Sequence, residues 1–144
     1  MATETVTLKI KRGEAAGSSS WEEFKVPRKP QMNVISCLME IQKNPVTTGG
    51  QSTTPVNWDS SCLEEVCGAC TMVINGRARQ ACSALVKELS PNGETIVVEP
   101  MTKFPRVRDL VVNRQRMFDS LKTVKGWINI DGSHQLGVGP RVSQ

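Results

Sequence analysis

Four cysteines at the spacing C-x4-C-x2-C-x11-C, namely Cys62, Cys67, Cys70 and Cys82, constrain this chain more than any other feature. Thiolates are soft ligands, and four of them suit zinc or an iron–sulfur cluster. A [2Fe–2S] cluster takes two cysteines on each iron, around a rhomb wider than a single ion. One tight loop can supply three of these ligands by wrapping around the cluster edge. The fourth must come from a separate rigid element, and Cys82, delivered by a hairpin, meets that demand.

The C-x4-C-x2-C opening is the spacing of plant-type [2Fe–2S] ferredoxins. Zinc is the rival, as the centre of a structural interaction domain. Structural zinc sites usually present two separated C-x2-C knuckles, whereas here only Cys67 and Cys70 form one. A C-x-x-C thiol–disulfide oxidoreductase is weaker still, because the motif does not open a helix after a strand. Small residues at Gly68 and Ala69 allow the backbone to approach inorganic sulfides and donate N–H groups to them. Such bonds, with local exposure, set a reduction potential. Glu64 and Glu65 either lower that potential by their charge or form a solvated loop edge, and the sequence leaves both open.

The fifth cysteine, Cys37, falls inside a predicted helix and reads as a small buried apolar residue, with a ligand or redox role as the minor alternative. An odd number of cysteines, with no charged-apolar-small leader at the N-terminus, argues against a disulfide framework. No run of about 18 apolar residues is present. The expectation is a soluble, cytoplasmic chain. The net charge of +4 is modest and its basic residues are scattered without interleaved aromatics, which argues against nucleic-acid binding.

Along the 144 residues, Thr5 to Lys11 alternates polar and apolar as a half-buried strand, and Trp21 to Val26 resumes as its hairpin partner. Asn33 is a suitable N-cap for a helix carrying Val34, Leu38 and Ile41, which Asn44-Pro45 stops. Val46 to Asp59 is a long polar loop leading into the cysteines, and Trp58 reads as a core anchor in preference to a lid. Thr71 to Ile74 and Arg77 to Ala81 flank the hairpin turn Asn75-Gly76. Thr95 to Val98 is a short buried strand. These elements make an α+β fold, a mixed sheet with a helix laid across it. From Arg106, Val107, Leu110, Val111, Met117, Leu121 and Val124 predict a helix that opens a second domain. The Gly-rich stretch from Gly126 reads as irregular, with His134 on its surface.

The stretch SCLEEVCGACTMVINGRARQACSALV closely resembles the N-terminal ferredoxin-like domain of the iron–sulfur subunits of succinate dehydrogenase and fumarate reductase. The Cys70-to-Cys82 distance carries much of the resemblance, since molybdenum hydroxylases share the first three cysteines but usually place the fourth farther away. RVRDLVVNRQRMF resembles the start of that subunit's second domain. The resemblance implies a β-grasp domain over residues 1–105 and the start of an α-helical ferredoxin domain over 106–144. It implies a [2Fe–2S] cluster on Cys62, Cys67, Cys70 and Cys82. It also implies a flavoprotein subunit whose FAD oxidises succinate to fumarate and gives electrons to the cluster. Two further clusters, quinone and a membrane anchor would follow, with the complex on the inner face of the cell membrane. Some members have Asp at the third ligand position, where this chain has Cys70. No cysteine follows Cys82, so the ligands of the family's [4Fe–4S] and [3Fe–4S] clusters are absent, and the expectation is a truncated subunit. A stand-alone [2Fe–2S] ferredoxin is the alternative, but it has little use for the apolar helix after Arg106.

Overall fold

A computed structural model describes residues 4–15 and 17–126. His134 and the rest of the stretch after Gly126 lie outside the described residues. The chain divides into two compact units, Met1–Asn113 and Arg114–Gln144.

The first unit is built on a five-stranded sheet. Strand β1 (Thr5–Arg12) alternates strictly, burying Val6, Leu8 and Ile10 on one face. Strand β2 (Ser20–Pro27) pairs with it antiparallel along its whole length, from Thr5 opposite Pro27 to Arg12 opposite Ser20. Helix α1 (Val34–Lys43) follows. Asn33 caps it as expected, its side chain accepting from the Ser36 N–H at 2.9 Å. Val34, Ile35, Cys37, Leu38 and Ile41 are its buried residues, the apolar stripe that a helix laid on a sheet must present.

Strands β3 (Thr71–Ile74) and β4 (Arg77–Gln80) form the hairpin after the cysteine loop. Asn75 and Gly76 both take positive φ, 48° and 78°, as a two-residue turn of this hand requires. The Asn75 side chain also accepts from the Val97 N–H at 2.8 Å, which ties the turn to the next strand. A one-turn helix, α2 (Val86–Leu89), precedes β5 (Ile96–Glu99). The sheet order is β2-β1-β5-β3-β4, with β1 and β5 parallel and the other neighbours antiparallel. The sheet's last strand in sequence thus lies in its middle. This mixed order, with α1 crossing over, is the β-grasp arrangement that the family resemblance implied. Short α2 escaped the sequence because four residues are too few for a periodic signal.

The helix expected from Arg106 does not begin there. Residues 106–112 form a small antiparallel hairpin, β6 (Arg106–Arg108) and β7 (Val111–Val112), and helix α3 spans Gln115–Thr123. The physical reason lies in Asp109, which is 3% exposed and held by the buried Arg12 guanidinium, while Leu110 and Val112 turn inward. A long-range ion pair and an alternation of two outweighed a coincidental helical spacing. Within the second unit, Met117, Phe118, Leu121 and Val124 are exposed.

Candidate metal centre

The loop between α1 and β3 carries three of the four cysteines. Its approach is fixed by the body of the domain: Val56 is buried and Trp58 packs against the core, as an anchor does. The Trp58 indole N–H is buried without a partner among the described residues. Asp109 Oδ2 accepts from the Asn57 N–H at 3.0 Å and the Asn57 side chain at 3.1 Å, pinning the chain five residues before Cys62.

Beyond this anchor the backbone turns sharply. Leu63, Glu65 and Gly68 all take positive φ, at 61°, 63° and 73°. A Cβ at Gly68 would meet nothing closer than the Thr71 hydroxyl at 3.7 Å. Glycine therefore serves the left-handed conformation there, and steric room is a secondary matter.

The thiols fall into two environments. Cys62 is half-buried and Cys67 exposed, whereas Cys70 and Cys82 are buried at the head of β3 and beyond the end of β4. Cys62 and Cys67 exchange backbone N–H contacts with each other's sulfur, at 3.5 and 3.3 Å. The N–H groups of Glu64 and Ala69 add donors to Cys62 Sγ at 3.5 Å and Cys67 Sγ at 3.4 Å. Donors around a sulfur favour its thiolate. The N–H groups of Glu64, Cys67 and Val66, and then the Cys67 thiol, bring Cys62 down to about 7. Burial pushes Cys82 up, reinforced by its contact with the Cys70 thiol and by the charge of Cys62. Cys62 and Cys67 are thus bridged by backbone N–H groups, while Cys82 contacts the Cys70 thiol and also feels the charge of Cys62. Among the described residues no group of three or more His, Cys, Asp and Glu side chains is disposed to hold a single metal ion.

A set of four thiols, rimmed by N–H donors, fits the chemistry of a cofactor broader than one ion. Cys37 stands apart: it is fully buried in α1, and burial, followed by the charge of Glu40, pushes its thiol to about 12. A thiol so disposed is inert packing.

Three features of the site escaped the sequence. The Gly68 N–H, expected to face inorganic sulfide, donates to Gln80 Oε1 at 3.2 Å. Glu65 is more than a solvated edge, because Ser83 Oγ donates to its carboxylate at 2.7 Å. Asn33, besides capping α1, donates from Nδ2 to the Cys82 carbonyl at 2.8 Å, so the helix start braces the fourth cysteine.

Residues 7–119 match the family described as 2Fe-2S iron-sulfur cluster binding domain, and the chain belongs to that family. Within it, the chain is similar to iron–sulfur subunits of succinate dehydrogenases and fumarate reductases. It is 55% identical over 142 residues to the succinate dehydrogenase iron-sulfur subunit of Bacillus subtilis (strain 168), covering 98% of this chain and 55% of that one. It is 26% identical over 136 residues to the fumarate reductase iron-sulfur subunit of Wolinella succinogenes, covering 90% of this chain and 53% of that one. The Mycobacterium smegmatis Sdh1 complex in the apo form shares the fold, with a TM-score of 0.74 at 22% identity over 95% of this chain and 55% of the matched chain. The chain thus spans about half the length of the curated relatives it matches. Among the described residues no helix is long and apolar enough to cross a membrane.

Proposed function

We propose that Cys62, Cys67, Cys70 and Cys82 hold one [2Fe–2S] cluster, and that the chain is the electron-receiving part of the iron–sulfur subunit of a succinate:quinone oxidoreductase. The observation that carries this reading is that the loop and the β3–β4 hairpin carry all four thiols, with Cys62 and Cys67 bridged by backbone N–H groups and Cys82 in contact with the Cys70 thiol; in this reading each iron takes one of these pairs. A bound [2Fe–2S] cluster would supply one-electron exchange between a two-electron flavin and later carriers. The protein performs no substrate chemistry in this reading. Its residues seat the sulfurs, surround them with N–H donors, and bury Cys70 and Cys82 on the side of the core.

Cys67 lies on the exposed side, and Leu63 and Val66 beside it are exposed apolar residues at 52% and 76%. Such a rim suits the docking of a protein partner over a short electron path. That partner is the flavoprotein subunit with its FAD. The chain carries no cysteine after Cys82, so further clusters on the way to quinone need ligands from outside these residues. The second, helical domain, of which α3 is the first described helix, leads toward them and toward the membrane anchor. The assembly is peripheral, on the inner face of the cell membrane.

Metal and sulfide analysis of the purified chain tests the cofactor: the expected content is two irons and two acid-labile sulfides, and a colourless protein with one zinc would refute it. Recovery of the chain and its interacting proteins from native extract tests the partner. A flavoprotein with covalent FAD is expected, and its consistent absence counts against the subunit assignment.

A further inference from the structure

Gln80, the last residue of β4, grips the cysteine loop with both ends of its side-chain amide. Its Nε2 donates to the Glu65 carbonyl at 3.2 Å, and its Oε1 accepts from the Gly68 N–H at 3.2 Å. The two points it joins lie on either side of Cys67. Both are left-handed, with φ of 63° and 73°. For a side chain such as that of Glu65 this conformation is disfavoured, so the turn needs support from outside itself. Strand register sets Gln80 opposite Thr71, the neighbour of Cys70. The Ala81 N–H donates to the Cys70 carbonyl at 3.1 Å, so the hairpin that carries Gln80 is also fastened to the third cysteine. The chemistry is specific to an amide, since one donor and one acceptor are needed at a fixed separation.

We infer that Gln80 is a positioning residue for the cluster: by fixing the Glu65–Gly68 turn it sets the place of Cys67 and of the N–H donors around the sulfurs, and thereby the retention and potential of the cluster. This rests on the four-thiol reading above. Ser83 works in parallel, holding the Glu65 carboxylate and so fixing a negative charge beside the site. Residues that orient ligands from behind typically change metal affinity by about 10–100-fold when lost.

The test uses the whole chain, reconstituted with iron and sulfide, as wild type, Gln80→Leu and Gln80→Glu. Arg77→Leu, an exposed change on the same strand, is the control. Iron release to a chelator, the electron paramagnetic resonance spectrum of the reduced cluster and the midpoint potential are measured at matched iron content. Gln80→Leu, which keeps bulk but loses both hydrogen bonds, is expected to release iron about tenfold faster. Its resonance spectrum and potential should also be altered. Gln80→Glu retains the acceptor for Gly68 and should release iron at an intermediate rate, with a lower potential from the added charge. Arg77→Leu should match wild type. Wild-type release, spectrum and potential in both Gln80 variants would overturn the inference, as would a fall in melting temperature with spectrum and potential unmoved. If the wild-type chain itself takes up no iron and sulfide, the four-thiol reading fails first, and the two failures are distinguishable.

Discussion

Arg12 Nε and Asp109 Oδ1, ninety-seven residues apart in sequence, meet at 2.9 Å in an environment where both side chains are nearly inaccessible. Arg12 also binds Glu22 and donates to the Thr54 carbonyl at 3.0 Å, while Asp109 accepts from the Gly13 N–H at 3.1 Å and from Asn57. The end of β1, the β6–β7 hairpin and the approach to the cysteine loop thus meet at one ion pair. Removing one member leaves the other charge buried. Asp109→Ala is expected to destabilise the chain by about 3 kcal/mol, read from urea denaturation. Arg12→Met combined with Asp109→Leu should recover much of that loss, because an apolar pair avoids the desolvation cost.

The same pair sets an acid limit on stability. Burial alone would raise the Asp109 carboxyl, but the Arg12 guanidinium and the donors from Asn57 and Gly13 outweigh it and hold the group below its ordinary value. The folded state therefore binds this proton less readily than the unfolded chain. Its contribution is fully present above the unfolded carboxyl value of about 4 and is lost as pH falls through the lower folded value. Urea midpoints of the metal-free chain measured from neutral pH downward should fall on that limb. Asp109→Asn should lower the neutral plateau and flatten the limb.

Cysteine substitutions separate ligand from packing. Cys82→Ser should weaken the visible spectrum or change it, with reduced iron and sulfide. Cys37→Ala should leave the spectrum intact and cost about 1 kcal/mol of stability through lost packing in α1. Loss of the cluster signal in Cys37→Ala would show that the ligand set is wrongly drawn.

Gly68→Ala probes the loop backbone. Space exists for the methyl group, yet its φ of 73° disfavours any Cβ. A loss of about 1–2 kcal/mol is expected in denaturation of the metal-free chain. An unchanged stability would mean that the loop relaxes out of the left-handed conformation.

How far the sequence could be read depended on the range of the interactions involved. Local signals served well: the alternation of β1, the Asn33 cap, the Asn75-Gly76 turn and the spacing of the cysteines each depend on neighbours within a few residues. A mixed sheet with a helix across it also followed, whereas the strand order β2-β1-β5-β3-β4 emerged only in the structure. Residues 106–112 misled because their apolar spacing fits a helix and nothing nearby reveals that Asp109 has a partner at Arg12. Gln80 and Ser83 stayed hidden for the same reason, since a polar residue on a short hairpin says nothing of what it touches. The cysteines signalled the chemistry of the site, while the side chains that brace their loop became visible only in three dimensions.

The parallel seam between β1 and β5 has a consequence for biosynthesis. Leu8 lies beside Ile96 and Ile10 beside Val98, so β1 lacks one of its two neighbours until residues near position 98 have left the ribosome. By then all three loop cysteines and Cys82 are already outside, on a chain whose sheet cannot yet close. Contacts of such long separation form late and slowly. Vectorial synthesis therefore opens an interval in which the thiols are exposed on an unfinished scaffold.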